Sequence, residues 1–293
     1  MADRFGLCGS VIERRYRVSE PLAEGGFAVV YGGHHLLLDV PVALKVLRPL
    51  DDPAASAELV GRFLEEAKTV ARLRHPHIVA ILDAGVLTRG AETLPWMALE
   101  WLHGQTLDAW LGARGPLSVR EALDLIVPLL HALGFAHGHR VAHRDVKPAN
   151  VMIVSTPAGP SPRLLDFGIA KVLGGDETVG SGATGTLGGQ RVFSPQFASP
   201  EQIAGTRTGP WTDIHAMGLL LTTLLTGQPP YEASGREELL AQAMDVRRPT
   251  PARVGLDVGP LEAVIRRAVA LRPKDRFASC DEMRDALLAA ASR

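Results

Sequence analysis

One stretch of the sequence, VAHRDVKPANVM at residues 141–152, gathers side chains that could transfer a phosphoryl group. That chemistry needs a carboxylate that orients the nucleophile and accepts its proton, and cations that spread the charge on the transferred group. Asp145 offers the carboxylate, and Lys147 is close enough in sequence to reach the same phosphate. Asn150 offers a neutral oxygen of the kind that binds a hard divalent metal. These residue types at this spacing therefore indicate phosphoryl transfer.

The alternative is that the stretch belongs to a buried core, because apolar residues flank it on both sides. Burying Arg144, Asp145 and Lys147 without partners would be costly, and Pro148 prevents a regular helix. We therefore predict a loop held between two apolar elements, which is where dense and unlike polar groups usually act.

Three residues elsewhere in the chain could complete the reaction. The motif LLDFGIA places Asp166 at the end of a predicted strand, after a short hairpin, where it could be a second metal ligand. The motif VALK places Lys45 on a predicted strand, where its ammonium could hold nucleotide phosphates, with Glu66 on a helix as its counter-ion.

Two regions of different character must position these residues. Residues 16–100 are short apolar runs separated by turn residues, which predicts a small sheet, with VPVALKVL at 40–47 as a buried strand. One helix interrupts the sheet, with an apolar face of Phe63, Ala67, Val70 and Leu73 that Pro76 should close.

From residue 105 onward the patterns are long and helical. Two helices carry predicted capping boxes, Ser118 with Glu121 and Ser279 with Glu282. The Gly-rich segment 174–189 has no apolar periodicity and is predicted to be a mobile loop. The fold class expected from both regions is α+β.

Composition excludes several classes of protein. The chain has 293 residues, of which 46% are hydrophobic, and its net charge is -1, so no basic field attracts nucleic acid. Cys8 and Cys280 give neither a disulfide framework nor a thiolate metal site. The most apolar run, residues 216–227, is too short to span a membrane, and the first ten residues lack a hydrophobic signal core. The initiating Met1 favours a natural N-terminus. We therefore expect a soluble, cytoplasmic chain.

The order of the motifs resembles the eukaryotic-like, or Hanks-type, serine/threonine protein kinases, in their bacterial form, over residues 16–290. The resemblance implies a two-lobe kinase fold, with an antiparallel N-lobe sheet and one main helix, and a mostly helical C-lobe. It further implies an N-terminal extension at 1–15, an N-lobe and hinge at 16–104, and a C-lobe at 105–293.

The resemblance also implies roles for individual residues, with ATP and Mg²⁺ or Mn²⁺ as cofactors. Asp145 would be the catalytic base and Lys147 a phosphate contact, while Lys45 and Glu66 would form an ion pair. The metal would be held by Asn150 and Asp166. The residues expected to bind the nucleotide are Leu22, Gly25, Val30, Ala43, Lys45, Glu100, Leu102 and Met152.

Further motifs support the same resemblance. SPEQ at 199–202 resembles a motif whose glutamate, here Glu201, is expected to pair with Arg276. Asp213 takes the position that braces the catalytic-loop backbone, and Leu99 takes the gatekeeper position before the hinge. His143 is expected to pack under Phe167.

The glycine-rich loop departs from the family pattern. In LAEGGFAVVYG, Ala23 and Ala28 replace the outer glycines, and Gly25 and Val30 stay in register. Alanine narrows backbone freedom and adds methyl groups where the backbone should approach phosphate, so a weaker phosphate grip is expected. Ala149 replaces an acidic residue of arginine-directed kinases, so no basic substrate consensus is implied.

In the family that the chain resembles, an arginine directly before the catalytic aspartate, here Arg144 before Asp145, marks kinases whose activation segment is ordered by a phosphate. We expect that phosphate on Thr184 and Thr186, placed there by a second copy of the chain in a transient homodimer. It would be bound by Arg144, Arg62 and Lys171.

Two other functions stay open. A pseudokinase scaffold that binds ATP without transfer would explain the altered glycine-rich loop, but Lys45, Asp145, Asn150 and Asp166 argue against it. A small-molecule phosphotransferase would need neither SPEQ nor Arg144. A metal site is not expected at the paired histidines, which we interpret as solvated; these are His34, His35, His75, His77, His137 and His139.

Overall fold

The computed structural model describes residues 1–49, 52–90, 92–167, 186–187, 190–191, 195–232 and 236–292. These residues form two compact units. The first unit comprises Met1–Arg74 and Val79–Leu102, and the second comprises His75–Ile78 and His103–Arg293. The N-terminal residues 1–15 belong to the first unit, where Leu7 and Ile12 are buried in its core.

The first unit contains a six-stranded sheet with the strand order β1-β2-β3-β4-β6-β5 and antiparallel pairing throughout. The strands are β1 (Val11–Ile12), β2 (Tyr16–Glu24), β3 (Ala28–His35), β4 (Val40–Leu47), β5 (Ile81–Arg89) and β6 (Glu92–Glu100). The predicted strand 40–47 is confirmed as β4, whose alternate residues pack with Trp96 and Tyr31 in the core.

Helix α1 (Pro53–Val70) also belongs to the first unit. Phe63, Ala67 and Val70 are buried as predicted. The prediction that Pro76 closes the helix is wrong, because the chain leaves α1 at Val70 through a tight turn in which the Leu73 N–H donates to the Val70 carbonyl. Leu73 is therefore buried from the turn and not from the helix.

The second unit is mostly helical, which confirms the predicted α+β class. Its described helices are α2 (Leu107–Arg114), α3 (Val119–Gly138), α4 (Pro200–Ala204), α5 (Pro210–Thr226), α6 (Arg236–Met244), α7 (Leu261–Ala268) and α8 (Cys280–Ala291). A small sheet is formed by β7 (Gly104–Thr106), β8 (Val151–Thr156) and β9 (Gly159–Leu164), and a short hairpin by β10 (Thr186–Leu187) and β11 (Gln190–Arg191). Segment 75–78 joins this unit because Ile78 bridges to Leu164.

One predicted capping box is confirmed and the other is half formed. At the start of α3, the Ser118 side chain accepts from the Glu121 N–H, and Glu121 accepts from the Ser118 N–H in return. At the start of α8, Ser279 accepts from the Glu282 N–H, but the Glu282 carboxylate accepts from the Ala278 N–H instead. Glu282 therefore reaches one residue further back than the pattern predicts.

None of the helices in the described ranges combines the length and the apolar character that crossing a bilayer requires.

Candidate functional site

Two predicted catalytic residues and one predicted metal ligand meet in the second unit, in the catalytic segment, which we define as residues 143–150. The Lys147 Nζ lies 2.8 Å from Asp145 Oδ2, and the Asn150 Nδ2 donates to the same oxygen over 2.9 Å. Asn150 Nδ2 also donates to the Asp145 main-chain carbonyl at 2.8 Å. Pro148 begins a 3-10 turn through Asn150, which brings residues five apart in sequence into contact. Two donors thus orient one carboxylate oxygen.

The β8–β9 hairpin delivers the second predicted carboxylate, as the sequence suggested. Leu165 directly precedes Asp166, and both of its backbone groups bind the catalytic segment. Its N–H donates to the Asn150 carbonyl at 2.9 Å, and its carbonyl accepts from His143 Nε2 at 2.7 Å. The start of the Asp166 turn is therefore tied to the catalytic segment.

His143 is a packing residue, as predicted. Its ring lies 4.6 Å from the ring of Phe167, centroid to centroid. Because Nε2 faces a carbonyl it carries the proton, which leaves Nδ1 to accept the Asp145 N–H at 3.3 Å. Both ring nitrogens are engaged with backbone groups, so the imidazole is not a general base.

Arg144 and Asp166 adopt left-handed backbone conformations, with φ of 66° and 62°. For a residue with a Cβ atom this conformation costs about 1–2 kcal/mol, and it persists only where the surroundings fix it. Of the six described non-glycine residues with this conformation, these two lie in the candidate site: Arg144 directly precedes the candidate base, and Asp166 is the predicted second metal ligand.

Asp213, at the start of α5, fixes the strained segment from the interior. Its Oδ2 accepts the His143 N–H at 2.8 Å and its Oδ1 accepts the Arg144 N–H at 2.7 Å, which confirms the predicted brace. Burial alone would raise the pKa of Asp213, but hydrogen bonds and charge from His137, together with the Arg144 N–H, hold that pKa below its ordinary value. The carboxylate therefore stays ionised and accepts these donors.

Behind Asp213 lies a chain of contacts that sequence reasoning missed. His137 Nε2 lies 2.7 Å from Asp213 Oδ2, and Cys280 Sγ lies 3.6 Å from His137 Nδ1. Burial raises the pKa of the Cys280 thiol well above its ordinary value, so the thiol stays protonated at the end of this chain of contacts. The interpretation of His137 as solvated is wrong, because its side chain is only 10% exposed and binds a buried carboxylate.

The predicted pair of Glu201 and Arg276 is confirmed. Both guanidinium nitrogens Nη1 and Nη2 donate to the two carboxylate oxygens at 2.8 Å, and both side chains are buried. Thr212 adds a hydrogen bond to Glu201 at 2.9 Å. Burial opposes ionisation, yet the hydrogen bonds and charge of Arg276 lower the pKa of Glu201.

Gln202 follows Glu201 on α4 and contacts the catalytic segment directly. Its Nε2 donates to the Arg144 carbonyl at 2.8 Å. Its Oε1 accepts from the Ser199 N–H at 3.0 Å and completes a capping box at the start of α4. The S-x-x-Q pattern could have revealed the cap from sequence. The contact with Arg144, 58 residues away, could not be seen there.

In the first unit, β3, β4 and β6 place the predicted nucleotide-binding residues in register. Lys45 lies on β4 opposite Val30 of β3 and Met97 of β6, and it is 7% exposed. Ala43, two residues earlier, lies opposite Leu99. The strands thus bring together side chains that the motifs place 15 to 56 residues apart.

Glu66 and Arg62 lie on α1, one turn apart, and both are half-buried. Arg62 Nη2 is 3.8 Å from Glu58, while its Nε is buried without a hydrogen-bond partner within the described ranges. Arg144 in the second unit has an Nε in the same condition. The pairing of Lys45 with Glu66 stays a prediction.

The phosphate turn, defined as residues 25–27 between β2 and β3, is contacted by Arg48. Arg48 Nη2 donates to Glu24 Oε1 at 2.7 Å and to the Gly25 carbonyl at 2.8 Å, and its N–H donates to the Phe27 carbonyl at 2.9 Å. Ala23 and Ala28 lie in strands and not in the turn, so the expectation that they stiffen its backbone is wrong.

The remaining nucleotide residues fall in both units. Glu100 ends β6, where its Oε1 accepts the Ala80 N–H at 2.8 Å, and Leu102 follows it half-buried. Leu22 on β2 is 40% exposed. Met152 belongs to the second unit, on β8 opposite Arg163.

Several predicted residues lie outside the described residues. Lys171 and Thr184 are among them, as is most of the Gly-rich segment 174–189. Thr186 begins β10, which pairs with β11.

Comparison with known proteins adds to this geometry. The protein kinase domain family model matches residues 16–283. The chain is 35% identical over 275 residues to the serine/threonine-protein kinase PknB of Mycolicibacterium smegmatis, covering 94% of this chain and 42% of that protein. It is 34% identical over 291 residues to the serine/threonine-protein kinase pkn3 of Myxococcus xanthus, covering 98% of this chain and 52% of that protein. The chain thus spans about half or less of these relatives.

Among solved structures, the PknI kinase domain of Mycobacterium tuberculosis matches with a TM-score of 0.74 and 30% identity, covering 98% of this chain and all of that chain. This likeness confirms the fold that the motifs predicted, an antiparallel-sheet lobe and a mostly helical lobe.

Proposed function

Because the chain belongs to the protein kinase domain family, we propose that it transfers the γ-phosphate of ATP to serine and threonine hydroxyls of proteins. The observation that carries this proposal is the convergence of Lys147 Nζ and Asn150 Nδ2 on one oxygen of Asp145. A carboxylate held in this way is suited to receive a proton from a hydroxyl in a fixed direction.

In the proposed reaction, the substrate hydroxyl oxygen attacks the γ-phosphorus as the bond to the ADP oxygen breaks. Asp145 orients the hydroxyl and accepts its proton. Lys147, 2.8 Å from Asp145, offsets the negative charge of the transferred phosphoryl group.

Asn150 and Asp166 fit a hard divalent cation such as Mg²⁺ or Mn²⁺. Both hydrogen bonds that Asn150 donates to Asp145 use the amide nitrogen, so the amide oxygen is the atom it offers to a metal. When bound, the cation would neutralise phosphate charge. The bonds of Leu165 to the catalytic segment support Asp166 as the second ligand.

We assign the nucleotide to the residues that the resemblance named. Lys45 would hold the phosphates, with Glu66 as its partner. The others are Leu22, Gly25, Val30, Ala43, Glu100, Leu102 and Met152. The register of β3, β4 and β6 supports this assignment for Val30, Ala43 and Lys45.

Free thiols at Cys8 and Cys280 support a reducing compartment, the cytoplasm.

We further propose activation by phosphorylation of Thr184 and Thr186 between two copies of the chain, with Arg144, Arg62 and Lys171 as phosphate ligands. Among the described residues, the buried Nε of Arg144 has no hydrogen-bond partner, which supports a phosphate as its acceptor. Replacing both threonines with alanine should lower transfer to an external protein. Unchanged activity, or a wild type equally active after phosphatase treatment, would contradict this mode of activation.

The proposed reaction is tested by incubating the purified chain with ATP and Mg²⁺ or Mn²⁺ and locating phosphate on protein by mass spectrometry. The wild type should carry phosphate on serine or threonine. Asp145→Asn should bind ATP and lose transfer about 10²- to 10⁴-fold, because the amide accepts no proton. A wild type that binds ATP and transfers nothing would instead favour a pseudokinase scaffold.

A further inference from the structure

The Arg144 residue is bound at both of its backbone groups by side chains from distant parts of the second unit. Its N–H donates to Asp213 Oδ1 at 2.7 Å, and its carbonyl accepts from Gln202 Nε2 at 2.8 Å. Between these two contacts its φ is 66°, a conformation that an arginine keeps only under constraint. Two constraints are present, and one of them is Gln202.

The position of the Arg144 carbonyl fixes the direction of the next residue. The peptide bond is planar, so a carbonyl held in place also holds the N–H and the Cα of Asp145. From that Cα extends the carboxylate on which Lys147 and Asn150 converge. A displacement of the carbonyl therefore moves the carboxylate away from its two donors.

We propose that Gln202 is a positioning residue for Asp145: it fixes the peptide between Arg144 and Asp145 and so couples helix α4 to the phosphoryl-transfer step. The inference rests on the proposed function, because Asp145 is the base of that reaction. Gln202 adjoins Glu201, whose buried pair with Arg276 fixes the start of α4. The backbone from which the Gln202 side chain extends is therefore held in place.

The oxygen and the nitrogen of the Gln202 side-chain amide bind different partners. The oxygen accepts from the N–H and the Oγ of Ser199, at 3.0 and 3.2 Å, and caps α4. The nitrogen alone reaches Arg144. Glutamate has the same shape and is itself a normal capping-box residue, but ionised it has no donor for the carbonyl. Gln202→Glu therefore keeps the cap and removes the contact with Arg144.

The test measures phosphate transfer to a protein substrate as kcat and the KM for ATP, with thermal unfolding recorded in parallel. In Gln202→Glu, kcat should fall about 10- to 100-fold, because a displaced catalytic group has that order of effect, with the KM for ATP within about two-fold of wild type. Gln202→Met removes both functions of the amide, so it should lose kcat to a similar extent and melt at a lower temperature as well.

Glu121→Gln is the matched control. It makes the reverse exchange, a carboxylate for an amide, at the same position of the capping box on α3. There the contacts are with Ser118 and Arg114 and not with the catalytic segment. Its kcat should equal that of wild type. A wild-type kcat in Gln202→Glu, or a loss that Glu121→Gln shares, would overturn the proposal and leave the proposed function standing.

A second measurement separates the two claims. The hydrogen exchange of the Asp145 amide, which belongs to the same peptide as the Arg144 carbonyl, is followed by NMR and should be faster in Gln202→Glu than in wild type and unchanged in Glu121→Gln. If the wild type transfers no phosphate, the proposed function fails, and unchanged exchange in Gln202→Glu would still overturn the positioning by itself.

Discussion

The phosphate turn and the catalytic segment are built in different ways. In the phosphate turn, Arg48 supplies the side-chain hydrogen bonds, through Nη2 to Glu24 and to the Gly25 carbonyl. In the catalytic segment, the backbone of the single residue Arg144 is bound by two side chains from separate helices, Asp213 and Gln202. The Asp213 side chain is completely buried.

This difference follows the chemistry asked of each segment. A general base must point at one atom, and the strained residue before it, Arg144, is held in place by Asp213 and Gln202. A turn that covers phosphates works through backbone groups and tolerates substitution near it. Alanine at positions 23 and 28 is compatible with the role proposed for the phosphate turn, while the catalytic segment keeps the complete motif.

The largest effect is expected from removing the brace. Asp213→Ala leaves His137 and the His143 and Arg144 N–H groups without their buried acceptor. We expect a loss of about 3–5 kcal/mol in the free energy of unfolding, together with loss of transfer. Denaturant unfolding measures the first and phosphate transfer the second. Asp124→Ala, an exposed aspartate on α3, is the control, and an equal effect in both variants would contradict the brace.

Lys45→Met should separate activity from stability in the first unit. Turnover should fall about 10²- to 10³-fold, because the proposed contact between the Lys45 charge and phosphate is lost, while the melting temperature without nucleotide should stay unchanged. Lys68→Met, on the exposed side of α1, makes the same replacement and should keep full turnover. A collapse of the fold in Lys45→Met would make Lys45 structural.

Acid should weaken the second unit through Glu201. Its pKa is lowered in the folded protein by Arg276, so its stabilising effect is complete above its ordinary pKa of 4.5 and is lost as pH falls through the lowered value. Glu201→Gln should cost about 1.5–3 kcal/mol at pH 7 and less at acid pH. Urea unfolding at pH 7 and pH 3 checks this, and a cost independent of pH would exclude an ionised Glu201.

A smaller effect is expected in the phosphate turn. Arg48→Met removes the side-chain bonds to Glu24 and Gly25 and should raise the KM for ATP about 2- to 10-fold, with kcat little changed. The control is Arg17→Met, which makes the same replacement at an exposed position of β2. A loss in kcat larger than the change in KM would show that the turn, too, positions the reacting groups.

The smallest effect is expected from restoring glycine at Ala23 and Ala28. Apparent ATP affinity should tighten or stay unchanged, and stability should fall by about 0.5–1 kcal/mol for each glycine, because both positions lie in strands. Titration of ATP against both forms tests this. A marked weakening would show that the alanine methyl groups contact the nucleotide.

The residue patterns predicted the catalytic motifs and strand β4, whereas the Glu201–Arg276 pair and the Asp213 brace were implied by the resemblance to the kinase family. The residue patterns did not predict the contacts of Gln202 or Arg48, and they misjudged His137. These three side chains act on partners 58, 24 and 76 residues away, and no local pattern encodes such a pairing. The end of α1 was misplaced because Leu73 continues the apolar spacing beyond the last helical turn.

The central claim, that the interior of the second unit fixes the catalytic segment while the phosphate turn is loosely held, is tested most directly by amide hydrogen exchange of the wild-type chain. The His143 and Arg144 amides are both bonded to Asp213 and should exchange only through global unfolding. Their exchange rates should therefore fall as the free energy of unfolding of the chain rises. The Gly26 and Phe27 amides should exchange at nearly the rate of an unprotected peptide. Equal protection of the two pairs, or rapid exchange at His143 and Arg144, would contradict the account.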